Sequence, residues 1–245
     1  MTLHGLTAIV RPVPPALSIV IPTLDAAGSL GATLADMAQG IARLEERRTA
    51  VEVVVADGGS RDNTADEARR HGARVIEAEA GRGRQLAAGA EASEGAWLLF
   101  LHADTRPAAG WDAEVSAFIG APGNAGRAAC FRFALDDSAV AARLLERLVA
   151  LRCLLFALPY GDQGLLIHRS LYEALNGFHP LPMMEDVEFV RRIGRRRLAF
   201  LATPAVTSAV RFRRAGYVPR MLRNACCLML FSLGVRAETV ARLYG

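Results

Sequence analysis

The first hundred residues alternate short β-rich runs with stretches of helical periodicity, and this alternation restricts the fold more than any other feature. The runs lie at Leu17–Ile21, Val51–Ala56, Arg74–Glu77 and Ala96–Leu101. Between them we predict helices, the first with Leu and Met at helical spacing over 28–47. Strands this apolar are typical of a parallel sheet covered on both faces. The pattern predicts an α/β fold with a mostly parallel, Rossmann-like central sheet and helices on both faces.

The second half of the sequence is more helical. A long helix, a loop with a strand, a charged helix and a last helix are predicted at 139–158, 161–168, 185–196 and 219–235. We expect residues 1–215 to form one domain and residues 216–245 to form a helical C-terminal tail packed on it. Because the second half of the last helix is almost wholly apolar, peripheral contact of the tail with a membrane is the alternative.

The chain contains no lysine, since all 29 basic residues are arginine. This excludes a Walker-type phosphate-binding loop, a Schiff-base lysine and a Ser/Lys nucleophile pair, because each requires an amine. The four cysteines lack zinc-binding spacing and are expected to be reduced, mostly buried thiols of a cytoplasmic protein. We expect no signal peptide, and no uncharged apolar run reaches the roughly 18 residues that span a bilayer.

Positive charge is concentrated near the C-terminus. Eleven Arg and no Asp or Glu lie between Glu188 and Glu238, whereas the rest of the chain has 18 Arg against 25 acids. Such a segment suits phosphate groups, anionic lipid or nucleic acid, and a solvated helical face is the simpler alternative. No nucleic-acid partner is expected, because the chain has neither a recognisable binding module nor aromatic residues interleaved with the arginines.

Three of the predicted strands end in acidic, turn-forming residues. These turns lie at Pro22–Asp25, Asp57–Thr64 and His102–Thr105. Each alone is compatible with a helix cap or a turn. Ligands of open α/β sheets bind beyond the carboxyl ends of the strands, however, and three such turns at one edge predict a ligand site there.

The motifs in these turns also resemble those of a known family. Residues 17–215 contain five motifs in the order that the family shows. They are Ile-Pro-Thr-Leu-Asp, Asp-Gly-Gly-Ser-x-Asp-x-Thr, Gly-Arg-Gly-x-Gln-x-Ala-x-Gly-Ala, Leu-His-Ala-Asp-Thr and Met-Glu-Asp-Val-Glu. The series resembles family 2 glycosyltransferases of the GT-A fold, and most closely the bacterial branch labelled radical-SAM/selenodomain-associated or arsenosugar-biosynthesis transferases. The resemblance implies transfer of a sugar, with inversion, from a nucleotide diphosphate sugar to a hydroxyl group. UDP-sugar is the favoured donor, and GDP-sugar stays open.

The resemblance also implies a divalent cation, Mn²⁺ or Mg²⁺. Asp104 matches the last Asp of the metal-binding Asp-x-Asp motif of the family, and His102 stands where the first Asp is usual. An imidazole ligand would shift the preference toward Mn²⁺ or another transition metal. Alternatively, His102 is a strand-end histidine that only forms a hydrogen bond.

Further donor-side residues follow from the same resemblance. Asp57 matches the position that recognises the nucleobase. Gly81–Gly89 is a weaker signal, in which flexible glycines and a helix N-terminus favour an anion and Arg84 can form two hydrogen bonds to a phosphate or base. The nucleotide sugar is therefore assigned to Pro22, Thr23, Asp25, Asp57, Arg84, Gln85, Asp104 and Arg211.

On the acceptor side, the resemblance assigns the general base to Asp186, with Glu185 supporting it. The alternative is an ordinary helix N-terminus, where the helix dipole favours acids. Asp162 and Gln163 are expected to bind acceptor hydroxyls. Processive relatives carry Gln-x-x-Arg-Trp where only Arg211, followed by Phe, is found here, which favours a single transfer.

The expected partners are a nucleotide diphosphate sugar and a small-molecule or lipid-linked acceptor. Two other functions stay open at the level of sequence. A non-catalytic nucleotide-sugar-binding protein is suggested by the altered Asp-x-Asp motif. A nucleotidyltransferase can share this architecture, although such enzymes usually carry a glycine-rich signature near the first strand and a lysine, and this chain has neither.

Overall fold

The sheet of this protein has eight strands. The structure, a computed structural model, describes residues 16–244. The N-terminal segment for which no signal peptide is expected, and the last residue of the predicted tail, lie outside the described residues. The strands are β1 Leu17–Thr23, β2 Val51–Asp57, β3 Arg74–Glu77, β4 Trp97–Phe100, β5 Thr105–Pro107, β6 Ala128–Leu135, β7 Leu165–His168 and β8 Leu198–Thr207.

Strand order in the sheet is β3-β2-β1-β4-β7-β6-β8-β5. Strands β1 to β4 form a parallel block. Strand β7 lies antiparallel between β4 and β6, while β8 runs parallel to β6 and pairs with β5 antiparallel. The predicted α/β fold around a central sheet is confirmed; its N-terminal block is wholly parallel, whereas its C-terminal part contains both parallel and antiparallel pairs.

Helices surround the sheet. They are α1 Ala27–Glu46, α2 Thr64–Arg70, α3 Arg82–Ala92, α4 Trp111–Gly120, α5 Val140–Phe156, α6 Arg169–Ala174, α7 Glu185–Ile193, α8 Val210–Ala215, α9 Tyr217–Ser232 and α10 Ala237–Tyr244. The sequence did not predict α4, α6, α8, α10, β5, β6 or β8. The predicted helix 185–196 ends earlier, at Ile193, because Gly194 follows with a φ of 79°, a left-handed conformation that ends helices.

Both faces of the sheet are buried, as the fully apolar strands require. Along β1, Leu17, Ile19 and Ile21 belong to the core under α1 and α4, whereas Val20 belongs to the core under α3 and α7. Alternate side chains of a strand point to opposite faces, so one strand serves both cores. Each such side chain contributes about 1.5–3 kcal/mol when it is fully buried.

A third apolar cluster joins the C-terminal helices to the rest of the molecule. Leu145 and Val149 of α5 lie in this cluster, and Tyr217 and Met221 of α9 pack against it. All four cysteines are free and three of them are buried, as expected; Cys226 is exposed. None of the described helices combines the length and the apolar character that crossing a bilayer requires.

Candidate active site

Asp57 organises the turns that follow β1 and β2. Its Oδ1 accepts hydrogen bonds from the hydroxyls of Thr23 (2.9 Å) and Ser60 (2.5 Å), and its Oδ2 accepts from the backbone N–H groups of Gly59 (3.2 Å) and Ser60 (2.9 Å). Burial would raise the pKa of Asp57, but these hydrogen bonds outweigh burial and lower it. A nucleobase that binds Asp57 would therefore replace one of the two hydroxyl donors.

The first two turns are also joined to each other. The Asp25 backbone N–H donates to the Ser60 hydroxyl (2.9 Å), and Asp25 Oδ1 accepts from the backbone N–H of Arg61 (2.8 Å). Asp25 is exposed and has a φ of 49°, which is uncommon for a residue with a side chain. Pro22, the next-to-last residue of β1, lies opposite Ala56. The structure thus brings Pro22, Thr23, Asp25 and Asp57 together at one edge of the sheet.

Arg84 and Gln85 are differently situated. The Gln85 side chain is buried, and its amide donates to the backbone carbonyls of Thr23 (2.5 Å) and Ala56 (3.0 Å). Arg84 is half exposed and pairs with Glu79 at 2.7 Å. Neither lines the central cavity described below. The side-chain donors of Gln85 connect β1 and β2 and are therefore not free for a ligand.

Beyond β4, the turn His102–Asp104 brings an imidazole and a carboxylate to the cavity. Burial, together with the positive charges of Arg82 and Arg211, lowers the pKa of His102 to about 3. The imidazole is therefore neutral near pH 7 and keeps a lone pair available. The Asp104 carboxylate forms no hydrogen bond or ion pair with any other residue in 16–244.

These two side chains fit a divalent cation that takes its remaining ligands from a substrate. Within the described part of the chain, no group of three or more His, Cys, Asp or Glu is arranged to hold a metal ion. Of the residues expected to bind a metal, an oxygen of Asp104 and a nitrogen of His102 are the candidate ligands in the cavity. Phosphate oxygens and water would complete the shell, as is usual for Mg²⁺ in phosphate-binding sites.

Asp162 lies on the other side of the cavity, and its Oδ1 is buried without a hydrogen-bond partner. Burial raises the pKa of Asp162 to about 6; the charges of Asp186 and Asp104 add to this, and Arg152 opposes it. Gln163, in contrast, points into the protein, where its amide donates to the Phe131 carbonyl (3.0 Å). Asp162 is thus available to an acceptor, whereas Gln163 supports the loop.

Glu185 and Asp186 begin α7 and point in different directions. Met184, just before them, has a φ of 62°, which turns the chain into the helix. Glu185 is fully buried, with Arg82 Nη1 at 3.3 Å from Oε1, and burial together with the charge of Asp186 raises its pKa. Asp186 lines the cavity, where its Oδ2 accepts from the Gly161 N–H at 2.6 Å and its Oδ1 from the Val187 N–H at 2.7 Å.

Gly161 allows a close approach at this point. A Cβ atom at this position would lie 2.6 Å from His102 Nε2 and 3.3 Å from Asp186 Oδ2. Any side chain here would separate the imidazole from the carboxylate or displace both. The glycine therefore keeps the acceptor-side base candidate and the metal-side histidine in one cavity.

Residues from the C-terminal helices form the far wall. Arg211 comes from α8, Arg220 and Asn224 from α9, and Tyr244 from α10. Arg220 donates to the Tyr244 hydroxyl (3.0 Å), but its Nε and the Asn224 Oδ1 are buried without hydrogen-bond partners. Buried polar atoms are normally hydrogen-bonded, so these two groups could donate a hydrogen bond to, or accept one from, water or a polar ligand.

Together these elements enclose a cavity of about 160 Å³. It is lined by Arg82, His102, Asp104, Tyr160, Asp162, Met183, Met184, Asp186, Val187, Thr207, Ser208, Arg211, Phe212, Arg220, Asn224 and Tyr244. Three carboxylates thus face three guanidinium groups across a small, partly enclosed space. Such an arrangement can bind a cation and a polyanion at once and can also accept a proton.

Sequence reasoning missed Arg82, Arg220, Asn224, Tyr160 and Tyr244. One signal was present for two of them: Arg220 and Asn224 are four residues apart on a helix that is otherwise rich in apolar residues, so they share one face. Nothing in the sequence separated Arg82 from Arg84, since both lie in the same glycine-rich segment.

Comparisons with known proteins support the family and the fold. A model of the family described as Glycosyl transferase family 2 matches residues 18–164, more than half of the chain. The match includes the turns after β1, β2 and β4 and ends before Glu185. No curated protein matches the chain significantly.

Three similar solved structures illustrate the likeness of fold. S. aureus TarS 1–349 in complex with UDP-GlcNAc has 16% identity and a TM-score of 0.57 over 78% of this chain and 58% of its own, so this chain spans less than two thirds of it. Mycobacterium tuberculosis glucosyl-3-phosphoglycerate synthase, in complex with Mn²⁺, UDP and glucosyl-3-phosphoglycerate, has 20% identity and a TM-score of 0.55. The match covers 79% of this chain and 71% of that enzyme. Rubrobacter xylanophilus mannosyl-3-phosphoglycerate synthase has 18% identity and a TM-score of 0.56, and the match covers 90% of this chain and 76% of that enzyme.

Proposed function

The chain belongs to glycosyl transferase family 2, and on that premise we propose that it transfers one sugar, with inversion, from UDP-sugar to an acceptor hydroxyl with the help of a divalent cation. The observation that carries the proposal is the single cavity that Asp104, His102 and Asp186 line together with three arginines. The finer assignment to the radical-SAM/selenodomain-associated branch is also a proposal, supported by the motif series alone.

Asp186 is the general base of the proposed reaction. The Gly161 and Val187 N–H groups each donate to one of its oxygens, which fixes the carboxylate and leaves a lone pair on each oxygen free. Asp186 accepts the proton of the acceptor hydroxyl as the hydroxyl oxygen attacks the anomeric carbon. The bond from that carbon to the diphosphate oxygen breaks on the opposite face, and its electron pair leaves with the nucleoside diphosphate. Attack from the opposite face inverts the configuration at the anomeric carbon.

Positive charge from the protein stabilises the departing diphosphate. Arg82, Arg211 and Arg220 reach the cavity from α3, α8 and α9, and guanidinium groups match phosphate oxygens with paired N–H donors. Because these groups are fixed before the reaction, they stabilise developing charge without reorganisation. A divalent cation held by Asp104 and His102 would supply further positive charge to the same phosphates.

The acceptor is positioned by Asp162. The Asp162 side chain lines the cavity, its Oδ1 has no hydrogen-bond partner within residues 16–244, and with a pKa of about 6 the carboxylate accepts a hydrogen bond near pH 7. The preference for uracil is supported by two of the similar solved structures, one with UDP-GlcNAc and one with UDP. Asp57, which follows β2, is the proposed partner of the base.

Thermal unfolding with UDP, GDP, CDP and dTDP, each with and without Mn²⁺ or Mg²⁺, tests the donor side. We expect UDP with a cation to raise Tm most, since ligand at about 100 times its Kd adds about 2.7 kcal/mol to the free energy of unfolding. Asp104→Asn should lose the part of the shift that depends on the cation. If no nucleotide raises Tm of the folded protein, the proposed function is wrong.

A second pair of variants separates binding from chemistry. Asp186→Asn should keep the shift with UDP and cation but slow release of UDP from UDP-sugar by about 10²–10⁴, the usual contribution of a general base. Asp36→Asn, at an exposed aspartate that pairs with Arg106, is the matched control and should change neither. Release of UDP at the wild-type rate by Asp186→Asn would contradict the assignment of the base.

A further inference from the structure

A second cavity, of about 220 Å³, opens between α5 and α9. Its walls carry Leu145, Leu148 and Val149 from α5 and Met221 and Leu228 from α9. Phe133 and Phe212 add aromatic surface, so most of the residues that line the groove are apolar. Apolar surface of this kind binds a hydrocarbon in proportion to the area removed from water.

The groove adjoins the active-site cavity, because the two share four lining residues. Tyr160, Asp162, Phe212 and Asn224 line both. The inner end is polar, because Asp162 Oδ1 and Asn224 Oδ1 are buried there without hydrogen-bond partners. A ligand that occupies both spaces has a polar head at Asp162 and Asp186 and an apolar chain that extends outward.

One cation marks the junction of the two spaces. The Arg152 guanidinium lies 3.5 Å from the centre of the Tyr160 ring, and its Nε donates to the Leu158 carbonyl at 2.9 Å. It also lies among the groove residues. The groove thus changes from cationic and polar to apolar along its length, in the same order as a lipid changes from head group to chain.

The groove opens onto a surface that is unusually apolar for a protein in water. Leu144, Leu148, Leu151 and Leu155 recur on one face of α5 and are 43–53% exposed. On α9, Leu222, Met229 and Leu233 are 57–76% exposed. Exposed apolar patches next to a groove mark sites of contact with lipid or with partners.

We propose that the acceptor of this enzyme is a lipid, whose hydrocarbon chain lies in the α5–α9 groove while its hydroxyl-bearing head reaches Asp186. The inference rests on the proposed function and names the acceptor class for the same site. The shared wall between the groove and the cavity favours a lipid acceptor over a sugar acceptor, which would leave the apolar groove unused.

Binding of dansyl-labelled undecanoic acid, below its micellar concentration, tests the groove by the rise in dansyl emission. Ala225→Phe fills the groove from an exposed position on α9, and Leu148→Asp introduces a charge at its rim. Each should weaken binding of the probe by about tenfold or more, as expected when about two methylene groups lose their contact. Ala117→Phe, on the exposed side of α4, is the matched control and should bind the probe like wild type.

The same samples distinguish this inference from the proposed function. Both groove variants should keep the Tm shift with UDP and cation, which also shows that they are folded. If the wild type shows that shift but does not bind the probe, or if both groove variants bind the probe as tightly as wild type, the lipid inference is wrong and the transferase proposal stands. If the shift with UDP is absent, the transferase proposal itself is wrong.

Discussion

The carboxyl group of Asp162 should make stability depend on pH in the direction opposite to that of most acidic residues. Burial raises its pKa from 3.8 to about 6. Between these values the native state binds more protons than the unfolded chain, so the free energy of unfolding falls as pH rises through this window. The stability that this carboxyl group contributes is fully present below its pKa in the unfolded chain, 3.8, and is lost above its pKa in the folded protein, about 6. The difference between these two pKa values corresponds to about 3 kcal/mol.

We therefore expect Asp162→Asn, which keeps the shape and removes the charge, to stabilise the protein more at high pH than at low pH. The difference in free energy of unfolding between this variant and wild type should be larger near pH 8 than near pH 4, by up to about 3 kcal/mol. Urea denaturation followed by tryptophan fluorescence at both pH values measures this difference.

Asp36→Asn, at an exposed surface site, is the matched control and should show no comparable dependence on pH. If the difference in stability between Asp162→Asn and wild type is the same at both pH values, the cavity does not penalise the carboxylate. The reasoning about Asp162 would then be refuted.

Three further predictions concern packing and the site. Gly40→Ala should lower the free energy of unfolding in urea by about 2 kcal/mol or more, because the new Cβ would lie 2.4 Å from the Trp111 indole nitrogen. Gly28→Ala in the same helix is the control: its Cβ meets no atom within 4 Å, so it should raise the free energy of unfolding by up to about 1 kcal/mol. Arg169→Met should lower the free energy of unfolding by about 3 kcal/mol, since Arg169 donates to three backbone carbonyls at and just beyond the end of α3; an unchanged urea midpoint would contradict this. Gly161→Ala should reduce the rate of UDP release from UDP-sugar by about tenfold or more, while the circular dichroism spectrum stays that of wild type. Full activity of this variant would show that the close approach of His102 and Asp186 to Gly161 is not needed.

Local sequence predicted the parallel half of the sheet because each strand there is a continuous apolar run. Strands β5 and β8, which were not predicted, lack that signal. Strand β8 contains Pro204 and leaves Phe200 largely exposed, and β5 has only three residues, with Pro107 at the sheet edge. Such strands are defined by their partners rather than by their own residues, so tertiary pairing had to be known first.

For the candidate site, motif reasoning brought together residues that do share one cavity, among them Asp104, Asp162 and Asp186. It could not distinguish a free amide from one used by the backbone, and Gln85 and Gln163 are of the second kind. That distinction depends on which carbonyls lie within about 3 Å, a property of the folded chain. The roles of these residues in transfer stay predictions.

The pairing of β5 with β8 has a consequence for how the protein is made. Thr105 is hydrogen-bonded to Thr207, 102 positions further along the chain, and the turn that carries Asp104 directly precedes β5. Contacts between such distant segments form late, because closing the intervening loop costs entropy, whereas β1 to β4 can form from neighbouring βαβ units. A chain that has emerged from the ribosome only as far as α7 would thus hold a folded N-terminal half, but the proposed site for the diphosphate and its cation would not yet be complete.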